Sequence, residues 1–234
     1  PRRYSSAASD VYKRQHLRAQ ILYYLGENLA VRSEEFAKRI ASMTGDDLAS
    51  ANREVELSID RLFTYAAWAD KFDGAVHGAP LRGVALAMNE PVGVIGMICP
   101  DENPLLGMVS LLAPALAMGN VVVAIPSEPF PLSATDLYQV FETSDLPSGV
   151  VNLITAKHAE VAETLAGHMD LDAVWYFGSS GQSEIIEKAS ATNLKRTWVN
   201  HGFARDWLDS MKGEGKEFLH QATEVKNVWI PYGE

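Results

Sequence analysis

Three consecutive runs decide the fold: Val92-Gly-Val-Ile-Gly-Met-Ile-Cys99, Pro104-Leu-Leu-Gly-Met-Val-Ser-Leu-Leu-Ala-Pro-Ala-Leu-Ala-Met118, and Val121-Val-Val-Ala-Ile125. The outer two are short, β-branched and apolar throughout, as expected of strands buried on both faces. The middle run is too long for a strand and opens with a proline, which fits the first turn of a helix because it lacks an N–H that would go unpaired there. Gly119 follows it directly and supplies a helix stop. Strand, helix, strand is therefore the local reading.

The same alternation continues outward. Val150–Ile154, Ala173–Phe177 and Lys195–Val199 read as strands, and Leu132–Thr143, Ala159–Ala166 and Gly181–Ser190 as helices, the second of them ending against Gly167. Repeated βαβ units imply an α/β protein with a Rossmann-like parallel sheet and helices on both faces. Upstream, Leu17, Ile21, Leu22 and Leu25, then Phe36, Ile40 and Met43, then Val55, Ile59, Leu62 and Phe63 recur at helical spacing and predict N-terminal helices over 16–73. Gly26-Glu-Asn28 stands as an interruption of the first helix and Ser33 as the cap of the second. The acid pairs Glu34-Glu35 and Asp46-Asp47 then fall at helix N-termini, where the dipole favours negative charge, so they read as structural rather than catalytic. Leu81–Met88 reads as a strand within a flap segment spanning 80–89. Phe203–Ala222 reads as loop and helix, and Val225-Lys-Asn-Val-Trp-Ile230 as a last strand pairing with Leu81–Met88 outside the main sheet.

Composition bounds the function. With 234 residues and 47% hydrophobic content the chain can bury a continuous core, and its formal charge of −10 argues against a phosphate-backbone partner, so no nucleic acid is expected. No apolar run is long enough to span a bilayer as a helix, so no membrane partner is expected either. One cysteine, Cys99, excludes an internal disulfide, and the expected compartment is the reducing cytoplasm. The six histidines show no H-x-x-x-H spacing, and no metal site is expected. Residues 1–15 are expected not to be native protein: Ser5-Ser-Ala-Ala-Ser-Asp-Val-Tyr-Lys-Arg-Gln15 matches the translation of a common transposon-based sequencing adapter. On that expectation the native reading begins at His16 and continues a longer frame.

Six phrases in order carry a resemblance to the aldehyde dehydrogenase superfamily: Glu90-Pro-Val-Gly-Val-Ile-Gly-Met-Ile98, Leu112–Glu128, Leu146-Pro-Ser-Gly-Val-Val-Asn152, Met169-Asp-Leu-Asp-Ala-Val174, Phe177-Gly-Ser-Ser180 and Asn193-Leu-Lys-Arg196. The closing Glu224-Val-Lys-Asn-Val-Trp229 is similar to the strand that ends the family's oligomerisation flap. The resemblance implies an NAD(P)-binding domain over 16–202, a C-terminal helix and flap strand over 203–234, NAD or NADP as cofactor, and a homo-oligomer. It also implies what is missing. The family's catalytic domain, with its nucleophilic cysteine, has no counterpart between Asn200 and Val225, and Cys99 lies instead at the end of an apolar strand, where it reads as a small buried hydrophobe.

Aldehyde oxidation needs a thiolate, an oxyanion donor and a general base. Where the resemblance puts the oxyanion Asn, Pro100-Asp-Glu-Asn-Pro104 has Glu102, with Asn103 displaced by one. Asn200 stands at the general-base position, and its amide does not exchange a proton near neutral pH. Ile125 replaces the lysine that would bond the adenosine ribose. The residues left to hold a cofactor are Glu128, of the Pro-Ser-Glu phrase, and Gly178 and Ser179, in a strand-to-helix turn whose free N–H groups suit a phosphate. That turn is not a nucleophile elbow, because Gln182 follows Gly181. The leading expectation is thus a non-catalytic module, a truncated second unit following a complete catalytic unit of the same polypeptide, with a structural or oligomerisation role. The alternative is the cofactor-binding part of an active aldehyde oxidoreductase whose catalytic residues lie upstream.

Overall fold

The computed structural model describes residues 14–78, 80 and 82–231. Residues 1–13, and with them most of the stretch read as adapter, lie outside the described residues, as does Leu81. Helices α1 (Gln15–Val31), α2 (Ser33–Thr44) and α3 (Leu48–Trp68) lead into strands β1 (Gly74–Gly78) and β2 (Gly83–Pro91). The alternating body follows as β3 (Val94–Ile98), α4 (Pro104–Ala117), β4 (Val121–Ile125), α5 (Leu132–Glu142), β5 (Val151–Leu153), α6 (His158–Gly167), β6 (Ala173–Tyr176), α7 (Ser180–Ser190) and β7 (Arg196–Val199). Short helices α8 (Ser210–Gly213) and α9 (Lys216–Gln221) then return the chain to β8 (Thr223–Pro231).

The body strands form a five-stranded sheet in the order β5-β4-β3-β6-β7, parallel at every pairing. Its two faces bury alternate residues. Met97, Trp175 and Phe177 face one core with α1, α3, α4 and α5, whereas Ile98, Val174 and Tyr176 face a second core with α6 and α7. Helix α4 lies at the centre of the first core with every residue buried, as its nearly unbroken apolar sequence requires. Buried Asn120 ties three segments together: its side chain donates to Ala115 O (3.0 Å) and Ala222 O (2.9 Å) and accepts from Gly93 N (2.9 Å). Gly93 itself has φ +129, and a Cβ there would lie 2.2 Å from Asp172 Oδ2, so only glycine fits the start of β3.

Several details correct the sequence reading. Gly26 does not interrupt α1; it sits buried inside a continuous helix, where a Cβ would lie 2.6 Å from the Phe63 ring, so its role is to let that ring approach the backbone. Ser33 is the first residue of α2 and caps nothing, because a single residue, Arg32, separates α1 from α2 and leaves no room for an extended cap. Arg32 pairs instead with Glu35 (2.7 Å). Asp47 does cap α3, accepting from Ser50 N at 2.7 Å. Gly167 is the last residue of α6 rather than a left-handed stop, a role that Gly119 fills after α4 with φ +90.

The flap is a second, antiparallel sheet in the order β1-β2-β8. The pairing of β2 with the last strand, expected from the sequence, runs from Gly83↔Pro231 to Pro91↔Thr223. Strand β1 was not expected: Gly74-Ala-Val-His-Gly78 is exposed at every position and carries no alternation by which a half-buried strand is recognised.

Candidate active-site crevice

The strand order reverses between β3 and β6, and the carboxyl ends of those two strands are where open α/β sheets take ligands. Two adjoining hollows of about 330 and 340 Å³ lie there, both walled by Asp101, Glu102, Phe177, Gly178 and Ser179. The structure brings the three candidate residues together: Glu128, Gly178 and Ser179 all border the second hollow. A larger hollow of about 410 Å³ opens elsewhere, at the C-terminal end of α4 near Met118 and Gly119, and includes Arg14 and Gln15. It has no part in this site.

The loops that follow the strands are tied to one another. After β3, Asp101 Oδ1 accepts from Ser127 Oγ (3.0 Å) and Glu128 N (2.9 Å) of the loop after β4. Glu128 Oε2 accepts in turn from His158 N (2.9 Å) at the first turn of α6, and His158 Nε2 sits 2.8 Å from Pro126 O. After β6, Gly178 N donates to Asn200 Oδ1 (2.9 Å), whose amide donates to Phe203 O (2.9 Å). Ser179 N donates to the Tyr176 hydroxyl (2.8 Å), and Ser179 Oγ caps α7 through Gln182 N (3.4 Å). A Cβ on Gly178 would lie 2.3 Å from that hydroxyl, so the phenol is seated directly against the turn.

Cys99 is fully buried, and burial pushes its thiol up to about 12, far from the thiolate a nucleophile needs. Asn103 adopts a left-handed conformation (φ 49) at the N-cap of α4. Glu54 is 3% exposed on α3; one of its oxygens, Oε1, accepts from Leu105 N (2.9 Å) and Leu106 N (3.1 Å) and so occupies the N-terminus of α4. Burial raises its carboxyl above the ordinary range against the pull of those bonds.

The residues present do not fit a dinucleotide. A pyrophosphate asks for unengaged N–H donors and no neighbouring carboxylate. Here Gly178 and Ser179 donate internally, Asp101, Glu102 and Glu128 border the same hollow, and Ile125 is 1% exposed with no donor for a ribose. Sequence reasoning named Glu128, Gly178 and Ser179, which the structure places around one hollow, but did not name Glu54, Asp101, Tyr176 or His158. The last three stand at strand ends or helix starts around the reversal of strand order, a position that was legible; Glu54 gave no signal, being one acid among many on α3.

Comparison with known proteins agrees with this architecture. Residues 6–204 match the aldehyde dehydrogenase family model. The NADP/NAD-dependent aldehyde dehydrogenase PuuC of Escherichia coli is 34% identical over 194 residues, a match covering 79% of this chain and 38% of that protein. An aldehyde dehydrogenase of Agaricus bisporus is 32% identical over 188 residues, covering 79% of this chain and 37% of the relative. Among solved structures, a Staphylococcus aureus betaine aldehyde dehydrogenase variant in complex with NAD+ superposes with TM-score 0.80 at 26% identity, covering 84% of this chain and 40% of that one. PnpE from Pseudomonas sp. WBC-3 superposes with TM-score 0.78 at 28% identity, covering 83% and 40%. The chain thus spans well under half the length of the relatives it matches. A parallel sheet in the order β5-β4-β3-β6-β7, N-terminal helices on one face, a detached antiparallel flap and a family match over most of the sequence lead to one conclusion: this chain belongs to the aldehyde dehydrogenase family.

Proposed function

We propose that the chain is a non-catalytic module of an NAD(P)-dependent aldehyde dehydrogenase polypeptide, and that its role is to dock and assemble rather than to oxidise. The observation that carries this reading is the state of the groups on which the chemistry could draw. Cys99 is buried with its thiol pushed up to about 12, Glu102 stands where the resemblance puts the oxyanion donor, and Asn200 is an amide tied to Gly178 N and Phe203 O. Of the titratable groups bordering the crevice, Asp101 and Glu128 are engaged as hydrogen-bond acceptors and His158 Nε2 sits against Pro126 O.

The flap supports the docking role. Opposed residues of an antiparallel sheet share a face. The register therefore places Val76 beside Leu86 and Leu86 beside Val228, with Val84 opposite Ile230 and Met88 at the end of the row. Val76 is 70% exposed, Ile230 47% and Met88 44%, an apolar ribbon on one face of a thin sheet. Its partner is a second copy of the chain or the catalytic unit preceding it in the same polypeptide. Light scattering tests the reading: the chain is expected to associate, and Val76→Glu with Ile230→Glu to return it to a single copy with unchanged circular dichroism. A mass that the double variant leaves unaltered would contradict it.

A further inference from the structure

We infer that the crevice at the carboxyl edge of the sheet is closed by the chain's own ligands, and that it works as a rigid joint which has lost dinucleotide binding. This goes beyond the absence of chemistry, since a chain without a nucleophile can still hold NAD+ as a structural ligand.

The inference rests on where each anion-seeking group has gone. Four helices, α4 to α7, start at this edge, where free N–H groups and the positive end of each helix dipole are the natural receivers of a phosphate, and at α4, α6 and α7 these groups are taken up by the chain itself. At α4 the receiver is filled by the Glu54 carboxylate through Leu105 N and Leu106 N. At α6 it is filled by Glu128 through His158 N. At the turn into α7 the Tyr176 hydroxyl takes Ser179 N, Asn200 Oδ1 takes Gly178 N, and Ser179 Oγ takes Gln182 N. At two of these three helix starts the ligand is a carboxylate from elsewhere in the chain, so an incoming pyrophosphate meets negative charge where it needs N–H donors.

These bonds also link the loops in the order of the sheet. His158 after β5 is tied to Glu128 after β4, which is tied to Asp101 after β3; separately, Gly178 after β6 is tied to Asn200 after β7. Each loop is held by its neighbour, and the two tied groups meet at the reversal between β3 and β6. Entry of a dinucleotide would have to break the ties on at least one side, replacing satisfied bonds rather than gaining new ones. Glu128 is the telling residue: as a lone loop acid it suits a ribose hydroxyl, but its Oε2 is already committed to the start of α6.

Amide exchange followed by NMR tests the inference on the unaltered chain, with NAD+ and NADP+ as probes. The amides of Gly178, Ser179 and His158 are expected to exchange at least about 100-fold more slowly than unstructured amides. Neither nucleotide is expected to shift them or to give saturable heat up to about 1 mM. Saturable binding of either nucleotide, or exchange of these amides at unstructured rates, would overturn the inference. Tyr176→Phe sharpens the test, because it removes one acceptor only: protection is expected to fall at Ser179 and persist at His158. Unchanged protection at Ser179 would show that the hydroxyl is not its ligand and would equally overturn the account.

Discussion

Glu54 shows at the scale of one residue how this sequence holds its central helix. A carboxylate 3% exposed costs free energy by desolvation, and it is kept because Leu105 N and Leu106 N have no other acceptor at the first turn of α4. Both bonds go to the same oxygen, Oε1, which makes a sharp prediction. Glu54→Gln keeps an oxygen there and is expected to cost less than about 1 kcal/mol, whereas Glu54→Ala strands two buried donors and is expected to cost about 2–4 kcal/mol in chemical denaturation. The pH dependence has a definite sign. Burial raises the carboxyl above 4.5, so just above that pH the folded chain keeps a proton the unfolded chain has lost, and stability falls as pH rises through the window. Glu54→Gln is expected to flatten that slope, leaving the share due to Glu214, whose carboxyl burial also raises. An identical slope in the variant would refute the assignment.

Among elements, the return segment between β7 and β8 does the most to complete the core. Trp207 is 1% exposed and Phe218 fully buried, and their rings meet Phe177 and Trp198 edge-on at 5.2 Å and 5.1 Å. The Arg205 guanidinium lies over four of these rings and pairs with Glu217 at 3.2 Å. Buried Arg61 of α3 fastens the same segment, donating to the Trp207 carbonyl and to Ser110 of α4. Trp207→Ala is therefore expected to destabilise the chain by about 3–5 kcal/mol, read by denaturation, with a loss below about 1 kcal/mol contradicting the anchoring role. The sequence made the segment legible as loop and helix but not its anchoring, because Trp207 and Phe218 follow no period and find their partners only through the sheet. The body strands and helices were legible almost to the residue, since strands buried on both faces write themselves as unbroken apolar runs. Strand β1 was not, being exposed throughout and held by its pairing with β2 alone. Within the site, the turn at Gly178 was legible as a place for a phosphate, but the occupation of its donors by Tyr176 and Asn200 depends on contacts three and twenty-two residues away.

For the whole molecule, the chain keeps the α/β fold of the family, with a parallel sheet and N-terminal helices. The chain superposes on a solved aldehyde dehydrogenase over 84% of its length, and its crevice between β3 and β6 is bordered by three acids and cross-tied by its own loops. A formal charge of −10 adds a general repulsion toward dinucleotides, screened at physiological salt beyond a Debye length of about 8 Å. The measurement that tests the central claim most directly is NAD(P)H formation by the purified chain with a panel of aliphatic and aromatic aldehydes, run beside Cys99→Ser. The account predicts no rate above the protein-free background in either sample. Turnover by the unaltered chain that Cys99→Ser abolishes would contradict it, because the one thiol in the sequence would then be a nucleophile and not a buried part of the core.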